Sequence, residues 1–159
     1  MIFKEVFDRT ISIEGGYSND PDDPGGETKF GISKREYPNL KIKELTREDA
    51  FNIYKRDFWD VLDGDSIPGS VAYQLFDFAV NSGIRTAIRY FQRALHVADD
   101  GYFGPISRNA ISKSSETDMI MNLNAERLDF MTRLSKWDSF GKGWARRIAQ
   151  NLKFGSQDT

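Results

Sequence analysis

The segment that most restricts the fold is residues 70–82, which are apolar on nearly every side of a helix. Its apolar side chains include Val71, Tyr73, Leu75, Phe76, Phe78, Ala79 and Val80. With about 3.6 residues per turn, these side chains leave no broad polar face, so such a helix must lie in the protein interior. Gly83 follows and is typical of a helix end. The pattern predicts a central buried helix around which the other elements pack.

Several other segments have the one-sided apolar pattern of amphipathic helices. Thr46, with Asp49 three positions later, is typical of a helix start, and Pro105 fits the first position of another helix. The pattern predicts helices over residues 2–14, 46–59, 84–96 and 116–136, two more from Pro105 and from near Trp144, and a short helical turn near Ser33. Strand-like alternation is scarce. We therefore expect a mainly α fold with at most a small hairpin within residues 17–32.

The length and charge of the chain exclude several classes of protein. Its 159 residues suffice for one hydrophobic core, so we expect a single domain over residues 1–159. The 22 basic and 24 acidic residues give a net charge of −2, which provides no field for binding nucleic acid. No apolar run is long enough for membrane insertion, and residues 1–13 do not resemble a signal peptide. Because there is no cysteine and only one histidine, His96, thiolate and multi-histidine zinc sites are excluded.

The acidic side chains best placed for catalysis lie within residues 14–32. This segment holds five acidic residues, five glycines and two prolines, and ordering so many turn-forming residues is costly. Long loops of this kind in compact domains usually carry function. Glu14 lies on the same helical stripe as Phe3 and Phe7, at the last turn before Gly15. Desolvation and the negative end of the helix dipole should push its carboxyl towards the neutral form that a general acid needs.

Two carboxyl groups in unlike surroundings are the usual equipment of glycoside hydrolysis. One protonates the leaving oxygen, and the other activates water or attacks the sugar. Tyr17 and Phe30 are suited to form walls against sugar rings, and Thr28 supplies a hydroxyl. Two other interpretations of the loop stay open, a solvated acidic turn and a loose calcium site. An EF-hand is excluded because the position of its closing Glu holds Gly31.

Eight short runs of the sequence form a pattern that covers nearly the whole chain. Four are Glu-Gly-Gly-Tyr at 14–17, Asn-Asp-Pro at 19–21, Asp-Pro-Gly-Gly-Glu-Thr at 23–28 and Gly-Ile-Ser at 31–33; the others lie at 78–83, 89–95, 100–105 and 140–147. Together they resemble glycoside hydrolase family 108, N-acetylmuramidases found as phage endolysins and bacterial lysozyme-like proteins. Residues about 84–155 resemble the C-terminal part of that family, which is often labelled peptidoglycan-binding. The resemblance implies a lysozyme-like helical domain.

The resemblance also implies roles for individual residues. Glu14 would be the catalytic acid, Asp23 the partner carboxylate, and Thr28 the residue that positions water. Two nearby acids stay open as alternatives to Asp23: Asp20 and Asp22. The long loop is expected to hold Asp23 away from the helix end that carries Glu14. A wide separation of the two carboxyl groups leaves room for a water, which predicts an inverting reaction.

Substrate contacts are expected from three residues of the matching segments. Tyr17 and Phe30 would face sugar rings, and Asn81 lies in the matching run at 78–83. Lys29 occupies the position that competes with Thr28 when the loop is aligned with related lysozymes.

The implied function is hydrolysis of the β-1,4 bond between N-acetylmuramic acid and N-acetylglucosamine in peptidoglycan, without cofactor or metal. The chain would act on glycan strands as a monomer. As an endolysin, it would wait in the host cytoplasm until its release through a membrane pore. The alternatives are a lytic transglycosylase, in which the sugar's own hydroxyl attacks, and a non-catalytic peptidoglycan-binding module. Asp23 and Thr28 favour water as the nucleophile, and a binding module has no need of Glu14 on an apolar stripe.

Basic residues form rows on two of the predicted helices. The row on the helix over 84–96 is expected to be a solvated or ion-paired face: Arg85, Arg89 and Arg93. The last helix is predicted to bury Ile148 and Leu152 in the core, which we favour over a role as a membrane-surface helix. The run at 99–104 is predicted to be a turn that buries Phe103, rather than a ligand contact.

Overall fold

Helices dominate the computed structural model, which describes residues 1–22 and 25–159. Within these residues the α-helices are α1 (Phe3–Glu14), α2 (Arg47–Tyr54), α3 (Gly69–Ser82), α4 (Ile84–Ala94), α5 (Pro105–Lys113), α6 (Glu116–Thr132) and α7 (Trp137–Asp158). The strands are β1 (Ser18–Asn19), β2 (Glu27–Lys29) and β3 (Ile32–Ser33). The shorter elements are 3₁₀ turns at Ile42–Glu44 and Gly64–Ser66 and a π-helical turn at Lys55–Trp59. The predicted mainly α architecture is confirmed.

Helix α3 lies at the centre, as its apolar pattern predicts. Every residue of α3 from Ser70 to Ala79 is buried. Helices α4, α6 and α7 pack directly against α3. The prediction of a central buried helix is therefore confirmed. The positions of functional side chains on the other helices are best described relative to α3.

Aromatic rings join α1 to the rest of the core. The ring centroid of Phe3 lies 5.0 Å from that of Phe51, 5.2 Å from that of Trp59 and 5.8 Å from that of Phe76. Such tilted and edge-on contacts between buried rings stabilise packing beyond the area that they bury. They fix the direction of α1 and therefore the position of Glu14 at its C-terminal end.

Helix α2 starts as predicted and changes its winding before it ends. The backbone N–H of Asp49 donates to Thr46 Oγ1 at 3.1 Å, and the backbone N–H of Thr46 donates to Asp49 Oδ2 at 2.9 Å. These paired bonds satisfy backbone donors at the helix start. The last predicted turns, Lys55–Trp59, are π-helical. This winding ends at Trp59, whose buried ring packs on Gly64.

The C-terminal helices differ from the prediction in their bounds. Helix α6 ends at Thr132 rather than near residue 136, and α7 begins at Trp137 rather than near Trp144. Glycine is unfavourable inside a helix, but the packing requires it at position 141. A Cβ there would lie 2.5 Å from the Trp137 ring. The predicted burial of Leu152 is also wrong: α7 turns Ile148, Asn151 and Gly155 inward and leaves Leu152 exposed. In the described part of the chain, no helix is both long and apolar enough to cross a bilayer.

The strands form one antiparallel sheet in the order β1-β2-β3. Thr28 lies opposite Ser18 on one side and Ser33 on the other. The sheet has one strand more than the predicted hairpin, because buried Ile32 pairs with Lys29. The predicted helical turn near Ser33 is a single turn after β3, in which the Tyr37 backbone N–H donates to the Ser33 carbonyl at 3.0 Å.

A chain that ends near Ala98 is expected to be unfolded. Such a fragment lacks α6 and α7, so it exposes the faces of α3 that Phe130 and Phe154 cover through Phe78 and Tyr73. Exposing this much apolar surface removes the main driving force for folding. Circular dichroism melting of the fragment beside the full chain tests this expectation. A soluble fragment that melts cooperatively and is active would show that residues 1–98 form a domain of their own.

Candidate active site

Glu14 lies where the core meets solvent, at the C-terminal end of α1. Phe3, Phe7 and Ile11 bury the inner face of this helix, and Glu14 continues that face in the last turn. Gly15, with φ of 71°, ends the helix, and its backbone N–H donates to the carbonyl of Ile11 at 3.2 Å. The Glu14 side chain is 22% exposed, so it can reach a ligand outside the core.

Arg147 of α7 binds the Glu14 carboxyl directly. Its Nη2 donates to Glu14 Oε1 at 2.9 Å. Glu14 Oε2 has no hydrogen-bond partner among residues 1–22 and 25–159. The helical stripe predicts apolar surroundings for this carboxyl, whereas in the structure it is partly exposed and has a cationic partner. The geometry fixes one oxygen and leaves the other available.

Asp77 of α3 anchors Arg147 from the inner side. Arg147 Nη2 donates to Asp77 Oδ1 at 2.5 Å, and Arg147 Nε donates to Asp77 Oδ2 at 3.2 Å. Asp77 Oδ2 also accepts bonds from Arg127 Nη1 and Asn151 Nδ2, both at 2.7 Å. Burial would raise the pKa of Asp77, but Arg127 and Arg147 outweigh it and lower the pKa to about 2. Asp77 is therefore an ionised carboxylate in the core.

Arg127 completes this network from α6. Its side chain and that of Asp77 are each only 1% exposed, and its guanidinium lies 5.1 Å from the centroid of the Phe78 ring. Arg127 Nε and Nη2 have no hydrogen-bond partner in the described ranges. We call Glu14, Arg147, Asp77, Arg127 and Asn151 the Glu14 network. This network connects α1, α3, α6 and α7. The one feature of the sequence that indicates it is the charged Asp77 between Phe76 and Phe78.

The turn between β2 and β3 packs against the other side of Glu14. Its two residues, Phe30 and Gly31, have φ of 54° and 78°, the backbone of a tight hairpin turn with both residues left-handed. A Cβ at Gly31 would lie 3.1 Å from Glu14 Cβ and 2.6 Å from Tyr54 Oη, so only glycine fits there. Tyr54 Oη donates to the Phe30 carbonyl at 2.6 Å. Burial and the nearby Glu14 carboxylate raise the pKa of Tyr54, which keeps the phenol protonated as a donor.

Thr28 lies at the centre of β2 and is partly exposed. Its hydroxyl makes no hydrogen bond with any residue that the structure describes. The competing residue, Lys29, is engaged, because its Nζ donates to the Lys43 carbonyl at 2.9 Å. Of the two, Thr28 is the one with a free polar group.

The three residues expected to contact substrate differ from one another in exposure and in hydrogen bonding. Tyr17 is 40% exposed, and its Oη donates to Glu27 Oε2 at 2.7 Å. Phe30 is partly buried against the core and presents only part of its ring. Asn81 is exposed at the last turn of α3, where its Nδ2 donates to the Asp77 carbonyl at 2.7 Å. Asn81 is therefore one helical turn from the carboxylate that anchors Arg147.

Asp23, the expected partner carboxylate, lies outside the described residues. Its two alternatives, Asp20 and Asp22, are exposed, and the Asp22 backbone N–H donates to Asp20 Oδ1 at 2.9 Å. Within residues 1–22 and 25–159, no group of three or more acidic or histidine side chains is arranged to hold a metal ion.

Two further motifs have structural explanations in α4 and the turn that follows it. Arg93 Nε lies 2.7 Å and Arg89 Nη2 3.7 Å from Asp99 Oδ2, which confirms an ion-paired face for these two residues. In the turn, Asp100 Oδ1 accepts the Tyr102 backbone N–H at 2.9 Å, and the ring of Phe103 packs on that of Phe91. The predicted capping turn is thus present.

Comparisons with known proteins identify the family of the chain. The sequence model of the family described as glycosyl hydrolase 108 matches residues 7–83, which span Glu14, the sheet and α3. Among solved structures, Brucella abortus SagA is 30% identical, with a TM-score of 0.89 over 98% of this chain and 94% of that chain. No curated protein matches. The family match and a likeness over nearly the full length of both chains show that this chain belongs to glycosyl hydrolase family 108.

Proposed function

We propose that this glycoside hydrolase cleaves the β-1,4 bond between N-acetylmuramic acid and N-acetylglucosamine in peptidoglycan, with Glu14 as the general acid. The observation that carries the proposal is the state of the Glu14 carboxyl. One oxygen is fixed by Arg147 and the other is unpartnered within the described residues, at the edge of a folded core. A positioned carboxyl of this kind is what protonation of a leaving glycosidic oxygen requires.

Arg147 orients the acid without supplying the proton. Its guanidinium is bound to Asp77 through two nitrogens, so its position is set by the core rather than by Glu14. The hydrogen bond to Oε1 then selects the rotamer of Glu14 and leaves Oε2 as the oxygen that can face the glycosidic oxygen. On cleavage the proton passes from Oε2 to the leaving oxygen, and the carboxylate that remains is stabilised by Arg147.

Water is the proposed nucleophile, with Asp23 as base and Thr28 as the residue that holds the water. The free hydroxyl of Thr28, set against the engaged ammonium of Lys29, supports this choice. Inversion at the anomeric carbon follows if Asp23 acts on water across the sugar ring. A role as a monomeric endolysin, held in the host cytoplasm until release, is also proposed on the basis of the sequence resemblance.

Digestion of purified peptidoglycan, followed by mass spectrometry of the released ends, tests the function. We expect reducing N-acetylmuramic acid ends, with the α-anomer visible by NMR before mutarotation. Ends with a 1,6-anhydro ring would instead identify a lytic transglycosylase. Reducing N-acetylglucosamine ends would place the cleaved bond on the other side of the sugar. Cosedimentation with peptidoglycan but no cleavage would indicate a binding module.

A further inference from the structure

A partly exposed aromatic cluster lies on the N-terminal half of α7, outside the Glu14 network. The ring centroids of Trp137 and Trp144 are 6.1 Å apart, and those of Phe140 and Trp144 are also 6.1 Å apart, with 26° between the latter planes. Phe140 is 54% exposed, and neither indole N–H has a partner in the described part of the chain. Core packing does not account for these rings, since they lie outside the buried cluster.

Contacts between α1 and α7 show where this cluster lies. Arg9, in the middle of α1, binds Asp158 at 2.8 Å and lies 4.0 Å from the centroid of the Phe154 ring, late in α7. Glu14, at the end of α1, binds Arg147. The two helices therefore run antiparallel, and the turns of α7 that precede Arg147 extend past the end of α1.

The cluster and Arg147 share one face of α7. Phe140, Arg147 and Phe154 recur every seven residues, so each is rotated by only about 20° from the next. Trp144 is one turn and Phe140 two turns from Arg147, or about 5 and 10 Å along the helix axis. The aromatic face thus begins beside the Glu14 carboxyl and continues for a distance comparable with the length of a disaccharide.

We propose that Trp137, Phe140 and Trp144 form a stacking platform for the sugars of a glycan strand next to the bond that Glu14 cleaves. The proposal rests on the proposed function, because continuity with Glu14 is what selects a glycan as the occupant. Exposed rings offer flat apolar faces to the C–H faces of sugars, and a Trp N–H can donate to a hydroxyl or N-acetyl oxygen. Gly143 leaves the helix open beside the rings, since no described atom other than those of its chain neighbours and of the nearby helix backbone lies within 4 Å of a Cβ built there.

Lys136 adds charge complementarity to this face. It precedes α7, is exposed, and makes no ion pair with a residue that the structure describes. Its position is rotated by roughly 20° from that of Arg147, so it lies at the outer end of the aromatic face. Peptidoglycan carries carboxylates on the peptides attached to its muramic acid sugars, and a cation suits them.

Kinetics on soluble, peptide-free glycan strands test the platform. Trp144→Ala and Phe140→Ser are each expected to raise KM by about 10-fold, with a much smaller effect on kcat, as for a contact made equally before and during reaction. Trp144→Phe should restore most of the affinity. Leu152→Ala changes an exposed apolar residue of α7 about two turns beyond Trp144; it is the matched control and should change neither constant. Because Phe140 is exposed, Phe140→Ser keeps the test valid if Trp144→Ala fails to fold.

Tryptophan fluorescence gives a second readout that does not need cleavage. Trp59 is buried and its Nε1 donates to Asp65, so a change on adding glycan strands to Glu14→Gln reports Trp137 and Trp144. Unchanged KM in both variants, or no fluorescence change, overturns the platform even where the wild type cleaves. Glycan binding without cleavage leaves the platform standing and overturns the proposed function. Variants that lose binding to anionic vesicles or lose self-association, with glycan affinity intact, overturn the platform in favour of a membrane or a second copy.

Discussion

Replacing Glu14 with Gln is expected to lower the rate of peptidoglycan cleavage by at least about 100-fold and to leave the fold intact. Gln keeps an oxygen that can accept the bond from Arg147 but has no acidic proton to give to the leaving sugar. Arg147 stays in place because Asp77 holds it through two nitrogens. Release of reducing ends from purified peptidoglycan measures the first effect, and thermal unfolding by circular dichroism measures the second.

Glu48→Gln is the matched control for this substitution. Glu48 is exposed in the first turn of α2 and takes no part in the Glu14 network. Its replacement should leave cleavage near the wild-type rate. If Glu14→Gln still clears cell walls as fast as the wild type does, Glu14 is not the acid and the proposed mechanism is wrong.

Replacing Asp77 with Asn is expected to lower the free energy of unfolding by about 3–5 kcal/mol near neutral pH. The change removes one negative charge and leaves Arg127, which is 1% exposed, without an anionic partner in the described structure. Desolvating an unpaired guanidinium is costly, and the Asn amide adds a donor where an acceptor is needed. Urea titration of both proteins measures the difference.

The pH dependence of this difference identifies its cause. Burial raises the pKa of Asp77, but Arg127 and Arg147 bring it down from 3.8 to about 2 in the folded protein. A lowered pKa contributes stability that is fully present above pH 3.8 and lost as the pH falls through about 2. The difference in free energy of unfolding between the wild type and Asp77→Asn should therefore become smaller in acid.

Asp129→Asn serves as the control, because its ion pair with Arg133 is more than half exposed on both sides. An exposed pair contributes little, so this variant should unfold with the wild type. If Asp77→Asn unfolds at the same urea concentration as Asp129→Asn, the buried charges do not hold the helices together.

Local patterns predicted most of the fold because the relevant signals are close in sequence. The apolar run at 70–82 needs no partner to identify it as interior, and the pairing of Thr46 with Asp49 is confined to one turn. The start of α7 was missed because its signal is tertiary. Glycines at 141 and 143 disfavour helix by themselves, and the packing of the Trp137 ring on Gly141 explains only the first of them.

The same distinction between local and tertiary signals applies to the residues of the site. Glu14 could be found from its helical stripe, since Phe3 and Phe7 share its face. Its partner Arg147 is 133 positions away in sequence, and no periodicity links residues at that separation. Asp77 did carry a signal, a lone acid in an apolar helix, but its meaning depends on the arginines that α6 and α7 bring to it.

The separation between Glu14 and Arg147 has a consequence for the order of protein synthesis. The ribosome makes Glu14 early and Arg147 much later, so a nascent chain carries the proposed acid long before it has the residue that binds its carboxyl. Activity should therefore appear only after α7 has left the ribosome exit tunnel. Proteolytic removal of α7 is likewise expected to abolish activity through the loss of Arg147, although the cut lies far from Glu14 in sequence.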